Sequence, residues 1–157
     1  MVSYYFGNKA GLIAAILDAI IHDECAGIAQ EIGSADGPER LHRAIVGIAR
    51  TTAEPGFYRG FFDIFPHAAR DPELRKRLVT LYQWYSEVEL GWLGLEIGGD
   101  PGRERRLRAL AQLVAAAIDG LGIQARIDPE HFDTAGAFDV LELLLRNSWA
   151  EFASPRD

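Results

Sequence analysis

Apolar residues recur at three- and four-residue steps in every long segment of the chain, and apolar and polar positions nowhere alternate over a sustained run. A period near 3.6 lays apolar side chains on one helix face, whereas a half-buried strand needs a period of two, so the pattern predicts an all-α fold. In the first segment Ile13, Ile16, Leu17, Ile20, Ile21 and Ile28 line one face, with Asn8 at the N-cap position and Gly33 placed to end the helix. Gly33 to Pro38 reads as a connector. A second helix runs from about Glu39, where Leu41, Ala44, Ile45, Ile48, Ala49 and Thr52 keep the helical step until Pro55-Gly56 stops it. An aromatic helix from about Phe57 to Arg70 follows, kinked or interrupted at Pro66.

Three Asp-Pro pairs, Asp71-Pro72, Asp100-Pro101 and Asp128-Pro129, mark helix starts or the turns just before them. Each offers a capping carboxylate ahead of a proline whose missing N–H costs nothing in a first turn. From Leu74 a heptad-like stripe of Leu78, Leu81, Tyr85, Val88, Trp92 and Leu95 predicts a long packed helix that Gly98-Gly99 ends. The last two helices, around Leu107 to Ala125 and Phe138 to Phe152, carry apolar residues on more than one face. In the first of them Leu110, Val114, Ile118 and Leu121 form one stripe, while Leu113, Ala116, Ala117, Gly120 and Gln124 form a second, mostly small one. The final helix sets Val140, Leu144 and Asn147 beside Leu141, Leu145, Ser148 and Phe152. One intramolecular core does not need two faces, so these helices are expected to pair with their own copies as a four-helix bundle. The pairing surface is assigned to Leu113, Ala117, Gly120, Leu121, Gln124, Leu141, Leu144 and Ser148. The competing reading is a monomer that buries both helices at its centre.

The chain has 157 residues, a length that suits one domain, with 48% hydrophobic and 25% charged residues. The net charge is −7, and up to Pro38 the only strong base is Lys9, against Asp18, Asp23, Glu24, Glu31 and Asp36. That is a poor electrostatic footprint for nucleic acid. The single cysteine, Cys25, cannot form an internal disulfide, and the apolar stretch Leu12 to Ile21 is too short to span a bilayer and lacks the flanks of a signal peptide. A cytoplasmic protein without membrane partners is expected.

The segment Val2-Ser3-Tyr4-Tyr5-Phe6-Gly7-Asn8-Lys9-Ala10-Gly11-Leu12 resembles the end of the helix-turn-helix of TetR-family regulators. There an aromatic run closes the recognition helix and Gly-x-Lys-x-x-Leu opens the next. Tyr4, Phe6, Gly7, Lys9 and Leu12 match, and Tyr5 stands where histidine is commoner. The resemblance implies Tyr4 and Lys9 as contacts to the DNA backbone and Phe6 as core. The family-like text begins inside the third helix of the DNA-binding head, so a chain truncated within the helix-turn-helix is expected, and this polypeptide is not expected to read sequence. Farther along, Ile118-Asp119-Gly120-Leu121, Gln124 and Asp128-Pro129-Glu130 resemble the C-terminal domain of the TetR branch that includes choline-responsive repressors. That likeness implies a homodimer whose helices surround an effector pocket.

Aromatic side chains crowd the segment Phe57 to His67 and return on the next helix at Tyr82, Trp84, Tyr85 and Trp92. Most such rings serve packing, but this density also lines apolar cavities. The expected effector pocket is walled by Phe61, Phe62, Phe65, Tyr82, Tyr85 and Trp92, with Asp63 or His67 as polar contacts. Rings plus a carboxylate would suit a cation. No metal or cofactor is expected: Asp63/His67 and Glu39/His42 have ligand-like spacing, but the second Glu-x-x-His of a di-iron bundle is missing. No catalytic constellation is present, and Arg103, Arg105, Arg106 and Arg108, interrupted by Glu104, read as a solvated helix start.

The chain thus reads as residues 1–32, the end of a recognition helix with its connecting helix, followed by residues 39–157, a ligand-binding and dimerising domain. The function expected is a TetR-type repressor that senses a small, mostly apolar effector and touches operator DNA only in a full-length form. Its rivals are a small helical-bundle enzyme or carrier and a dimerising decoy.

Overall fold

A computed structural model describes residues 9–54, 66–68, 70–98 and 100–153. Five helices carry the fold: α1 (Lys9–Ile32), α2 (Gly37–Ala53), α3 (Pro72–Trp92), α4 (Pro101–Ile127) and α5 (Thr134–Ala153). The described residues contain no strand.

Aspartates start three of these helices. Asp36 Oδ1 accepts from Gly37 N at 2.7 Å, so α2 begins two residues before the expected Glu39, and Pro38 sits in the first turn, where it donates nothing that is needed. Asp71 Oδ1 accepts from Glu73 N and Leu74 N at 2.9 and 3.2 Å. Asp100 Oδ1 does the same for Gly102 N and Arg103 N at 2.8 and 3.0 Å. Asp128, in the third Asp-Pro pair, closes α4 and braces the turn ahead of α5 by accepting from His131 N at 3.2 Å.

Helix α3 ends at Trp92, six residues before the expected Gly98. Leu95 N donates to Leu90 O at 2.8 Å and Gly94 N to Gly91 O at 3.1 Å, the paired bonds of a Schellman end, with Gly94 at φ +71°. Leu95 fits the heptad stripe because the reversed chain turns it back onto the core, where it is buried. A side chain at Gly94 would be strained by its φ and would meet Arg40 Cδ at 3.3 Å.

Helix α2 is the hub and packs against all four other helices. Its predicted stripe is buried at Leu41, Ala44, Ile45, Ile48 and Thr52. Gly47 lets α1 approach closely: a Cβ there would lie 3.4 Å from Ile28 and from Glu31 Cβ. The expected face of α1 is only partly realised. Ile28 and Ile32 join the main core, Ile21 is buried, and Ile13 packs on a smaller cluster of Ala68, Leu74 and Leu78. Ile16 is exposed, because it lies five residues before Ile21 and therefore about 140° around the helix. The Leu17 and Ile20 side chains lie outside the described residues.

Long polar side chains lock the C-terminal end of α3. Arg40 of α2 donates to Gly91 O at 2.7 and 3.1 Å and to Trp92 O at 3.2 Å, meeting carbonyls that the helix end leaves without intrahelical donors. Trp149 Nε1 of α5 donates to Leu93 O at 3.0 Å. Arg103, expected in a solvated run, instead donates to Glu96 O at 3.0 Å, Gly98 O at 2.7 Å and Phe152 O at 3.2 Å. It fastens the α3–α4 connection to the end of α5. Arg40→Ala should lower unfolding free energy by about 1.5–3 kcal/mol, the usual cost of losing charge-assisted bonds. Arg40→Lys should recover less than half of that, since an ammonium cannot reproduce the fork; urea midpoints at constant m check both.

Candidate functional site

Helices α3 and α4 pack side by side, and between them opens a cavity of about 590 Å³. Most of its wall surface is apolar, with Ala68, Leu78, Val79 and Ala115, and its polar groups include Arg75, Tyr82, Ser86, Gln112 and Asp119. The Tyr82 hydroxyl donates to Asp119 Oδ2 across the helices at 2.8 Å. The positions follow from helical spacing: Leu78, Tyr82 and Ser86 stand one turn apart on α3, and Ala115 and Asp119 one turn apart on α4.

Behind Asp119 lies a feature that the aromatic pattern does not announce. Glu24 of α1 and Glu89 of α3 are buried, at 6% and 1% exposure. Tyr85 donates to Glu24 Oε1 at 2.9 Å. Glu24 Oε2 and both carboxyl oxygens of Glu89 have no hydrogen-bond partner among the described residues, and none of the ion pairs formed there includes Glu24, Glu89 or Asp119. Burial, with the nearby charges of Asp119 and Glu24, lifts the Glu89 carboxyl to about 9. Burial also lifts Glu24 to about 7, against the pull of the Tyr85 hydrogen bond and with a further push from Asp119. Asp119 is raised by burial, opposed by Tyr82. Cys25, beside Glu24, is pushed up to about 11 by burial and by the charges of Glu24 and Glu89. An acid in an apolar setting keeps its proton because the ion would lose its hydration. At neutral pH Glu89 therefore keeps its proton and Glu24 is about half protonated.

The sequence-assigned pocket residues divide. Tyr82 lines this cavity, and His67 stands exposed on the helical turn at 66–68 beside lining residue Ala68. Trp92 is buried in the core, edge-on to Tyr85 at 5.7 Å, and neither of these rings lines this cavity. Phe61, Phe62, Asp63 and Phe65 lie outside the described residues, as does Tyr4. Lys9 begins α1, and its side chain lies outside the described set. Glu39 and His42 do not converge: Glu39 pairs with Arg43, and His42 Nδ1 meets Glu142 Oε2 at 2.9 Å. Among the described residues no group of three or more His, Cys, Asp and Glu is arranged to hold a metal ion.

On α4 and α5, Leu113 is 68% exposed, and Leu144, Val140 and Leu143 are 60%, 56% and 55% exposed. Gln124 and Ser148 are exposed too, Ala117 and Gly120 are half-exposed, and Leu121 and Leu141 lean partly on the protomer's own core. Helix α4 is long and apolar enough to cross a membrane, yet the protomer buries only 28% of its most apolar window.

An all-α bundle in which a long first helix packs against a cavity-bearing helical body is the architecture of a TetR-type regulator. Residues 38–149 match the C-terminal domain family of BetI-type transcriptional repressors, and the chain belongs to that family. It is 29% identical to the HTH-type transcriptional regulator BetI of Paraburkholderia phymatum, over 96% of this chain and 78% of that protein. It is 28% identical to the HTH-type transcriptional regulator BetI of Burkholderia thailandensis, over 92% of this chain and 75% of that protein. No solved structure gives a significant match.

The buried acids make stability fall with pH. Each ionises near 4.5 when unfolded and higher when folded, so between those values the folded state binds more protons and loses stability as pH rises. Glu24 acts from about 4.5 to 7 and Glu89 from about 4.5 to 9. Thermal midpoints should therefore decline from pH 5 to 9. Glu89→Gln should flatten the upper part of that decline and be more stable than the parent at pH 9; calorimetric scans across the range check this.

Proposed function

We propose that the chain is the sensing and dimerising part of a ligand-responsive repressor, working in the cytoplasm by binding rather than by catalysis. The observation that carries this reading is the cavity between α3 and α4, apolar over most of its wall, with the Tyr82–Asp119 pair set in it. Such a site suits a small, mostly apolar effector that carries one polar or cationic group. Residues 1–32 are assigned to the DNA-binding side, with Tyr4 and Lys9 as backbone contacts. Residues 39–157 are assigned to sensing and pairing, with the sequence-assigned aromatic residues from Phe61 to His67 completing the pocket. Operator DNA is the partner of the DNA-binding side.

The partner for the exposed apolar positions of α4 and α5 is a second copy of the chain. An apolar helix that its own protomer leaves mostly uncovered supports a pairing surface at Leu113, Ala117, Gly120, Leu121, Gln124, Leu141, Leu144 and Ser148, and Val140 and Leu143 extend it. In this arrangement α1 transmits the bound state to the recognition helices, whose half-sites on DNA lie about 34–36 Å apart.

Two outcomes test the reading. Leu113→Glu combined with Leu144→Glu should shift the sedimenting species from dimer to the 17.3 kDa monomer while keeping its helical circular dichroism; a parent that already sediments as a monomer sinks the pairing surface. Ala115→Trp should fill the cavity and abolish effector binding, measured by calorimetry against aromatic and ammonium compounds, while dimerisation persists. Unaltered binding in that variant would place the effector elsewhere.

A further inference from the structure

The α3–α4 cavity carries charge of both signs. Among the described residues that line it, Arg75 is the only base and Asp119 the only acid. Asp119 is half-buried in the wall, where it accepts from the Tyr82 hydroxyl at 2.8 Å. It takes part in none of the ion pairs formed among the described residues, so its negative charge meets a hydroxyl dipole there and no cation. Arg75 is exposed and lies seven residues before Tyr82 on α3, about 10 Å along the helix axis. Side chains on a helix tilt toward its N-terminus, so the offset between two Cα atoms carries over to the groups that they bear. Arg75 therefore stands at the rim and the Tyr82–Asp119 pair farther in, with Leu78 and Val79 between them along α3.

We propose that this cavity takes an ω-amino carboxylate, a chain with an ammonium at one end and a carboxylate at the other, its ammonium held inside by Asp119 and its carboxylate at the rim by Arg75. The proposal rests on the effector-pocket reading above and specifies its ligand. A purely apolar ligand would strip water from Asp119 and bring no counter-charge, which disfavours the carboxylate. A ligand with a positive end alone suits that acid and leaves the Arg75 end of the cavity unused. One with a negative end alone would meet Asp119 as a like charge.

The donor and acceptor counts fit the two-ended ligand. A carboxylate offers about four acceptor sites and Tyr82 takes one at Oδ2, so an ammonium with its three N–H donors can be accommodated beside it. The Arg75 guanidinium carries five N–H donors in a fork matched to a carboxylate, enough to take one beside the contact that it makes within the protein. The apolar spacer runs along Leu78, Val79 and Ala115. An extended eight-carbon amino acid places its charged ends about 10 Å apart, which matches the offset along α3.

The test is calorimetry on the full 157-residue chain with 8-aminooctanoate, 8-aminooctanamide, which lacks the negative end, and N-acetyl-8-aminooctanoate, which lacks the positive one. The expected result is tightest binding by 8-aminooctanoate. Its margin over the amide should be about threefold to fivefold, because the Arg75 end is exposed and screened. Its margin over the N-acetyl compound should be about tenfold or more, because the Asp119 end is half-buried. Arg75→Gln should abolish the first margin and keep the second, and Asp119→Asn should do the reverse. Arg75 is exposed, and an amide at position 119 still accepts from Tyr82, so both variants should keep the helical circular dichroism of the parent. Binding of the amide or the N-acetyl compound as tight as that of 8-aminooctanoate, or a margin that survives its matching substitution, overturns the two-ended ligand. If a singly charged or neutral compound binds in preference and Ala115→Trp abolishes that binding, the effector pocket stands and only the amino-carboxylate assignment falls. If no probe binds at all, both fall.

Discussion

Burying the Glu24 and Glu89 carboxyl groups beside a half-buried Asp119, where α1 and α4 both pack against α3, is the constraint on which the functional part of this molecule turns. Ionised acids held together in apolar surroundings would repel one another and forfeit their hydration, at several kcal/mol per ion. Glu89 escapes that penalty at neutral pH by keeping its proton and Glu24 does so in part, while Tyr85 donates to Glu24 and Tyr82 to Asp119. The arrangement holds only while protons are available, and it leaves acceptors unsatisfied that an apolar core would not contain.

The rest of the bundle provides the rigidity that such a site needs. Helix α2 touches every other helix, so its apolar stripe fixes their mutual placement by packing. The Arg40 fork on Gly91 and Trp92, the Trp149 bond to Leu93 and the three-carbonyl grip of Arg103 then pin the end of α3 to α2, α5 and α4. Glu89 lies within the last turn before this anchored end. Its burial is therefore imposed by tertiary packing and cannot be relieved by fraying of α3.

Much of this could be read from the chain before any coordinates. The α2 stripe from Leu41 to Thr52 is an uninterrupted helical pattern, and two Asp-Pro pairs start helices as their capping chemistry dictates. The end of α3 was misplaced because Leu95 continues the heptad in sequence but leaves the helix in space, with Gly94 reversing the chain between them. The acid cluster went unread although its signal was present. Glu24 sits at core spacing between Ile21 and Ile28, Glu89 between Tyr85 and Trp92, and Asp119 between Ala115 and Gly122. Charged residues usually turn outward, and periodicity alone does not show that a third helix closes over them. Aromatic density grouped Trp92 with Tyr82, and the structure separates them: Tyr82 stands on the cavity wall and Trp92 in the core.

The distribution of the cluster over α1, α3 and α4 gives it a mechanical consequence. A ligand shifts a conformational equilibrium only by the difference in its affinity for the two states, and moving 1:99 to 99:1 takes about 5.5 kcal/mol. Apolar contacts with a cavity formed by α3 and α4 alone change little when α1 moves. Glu24 is the one member of the cluster that α1 supplies, so a movement of α1 relative to α3 changes the setting of Glu89 and with it the protons the cluster holds.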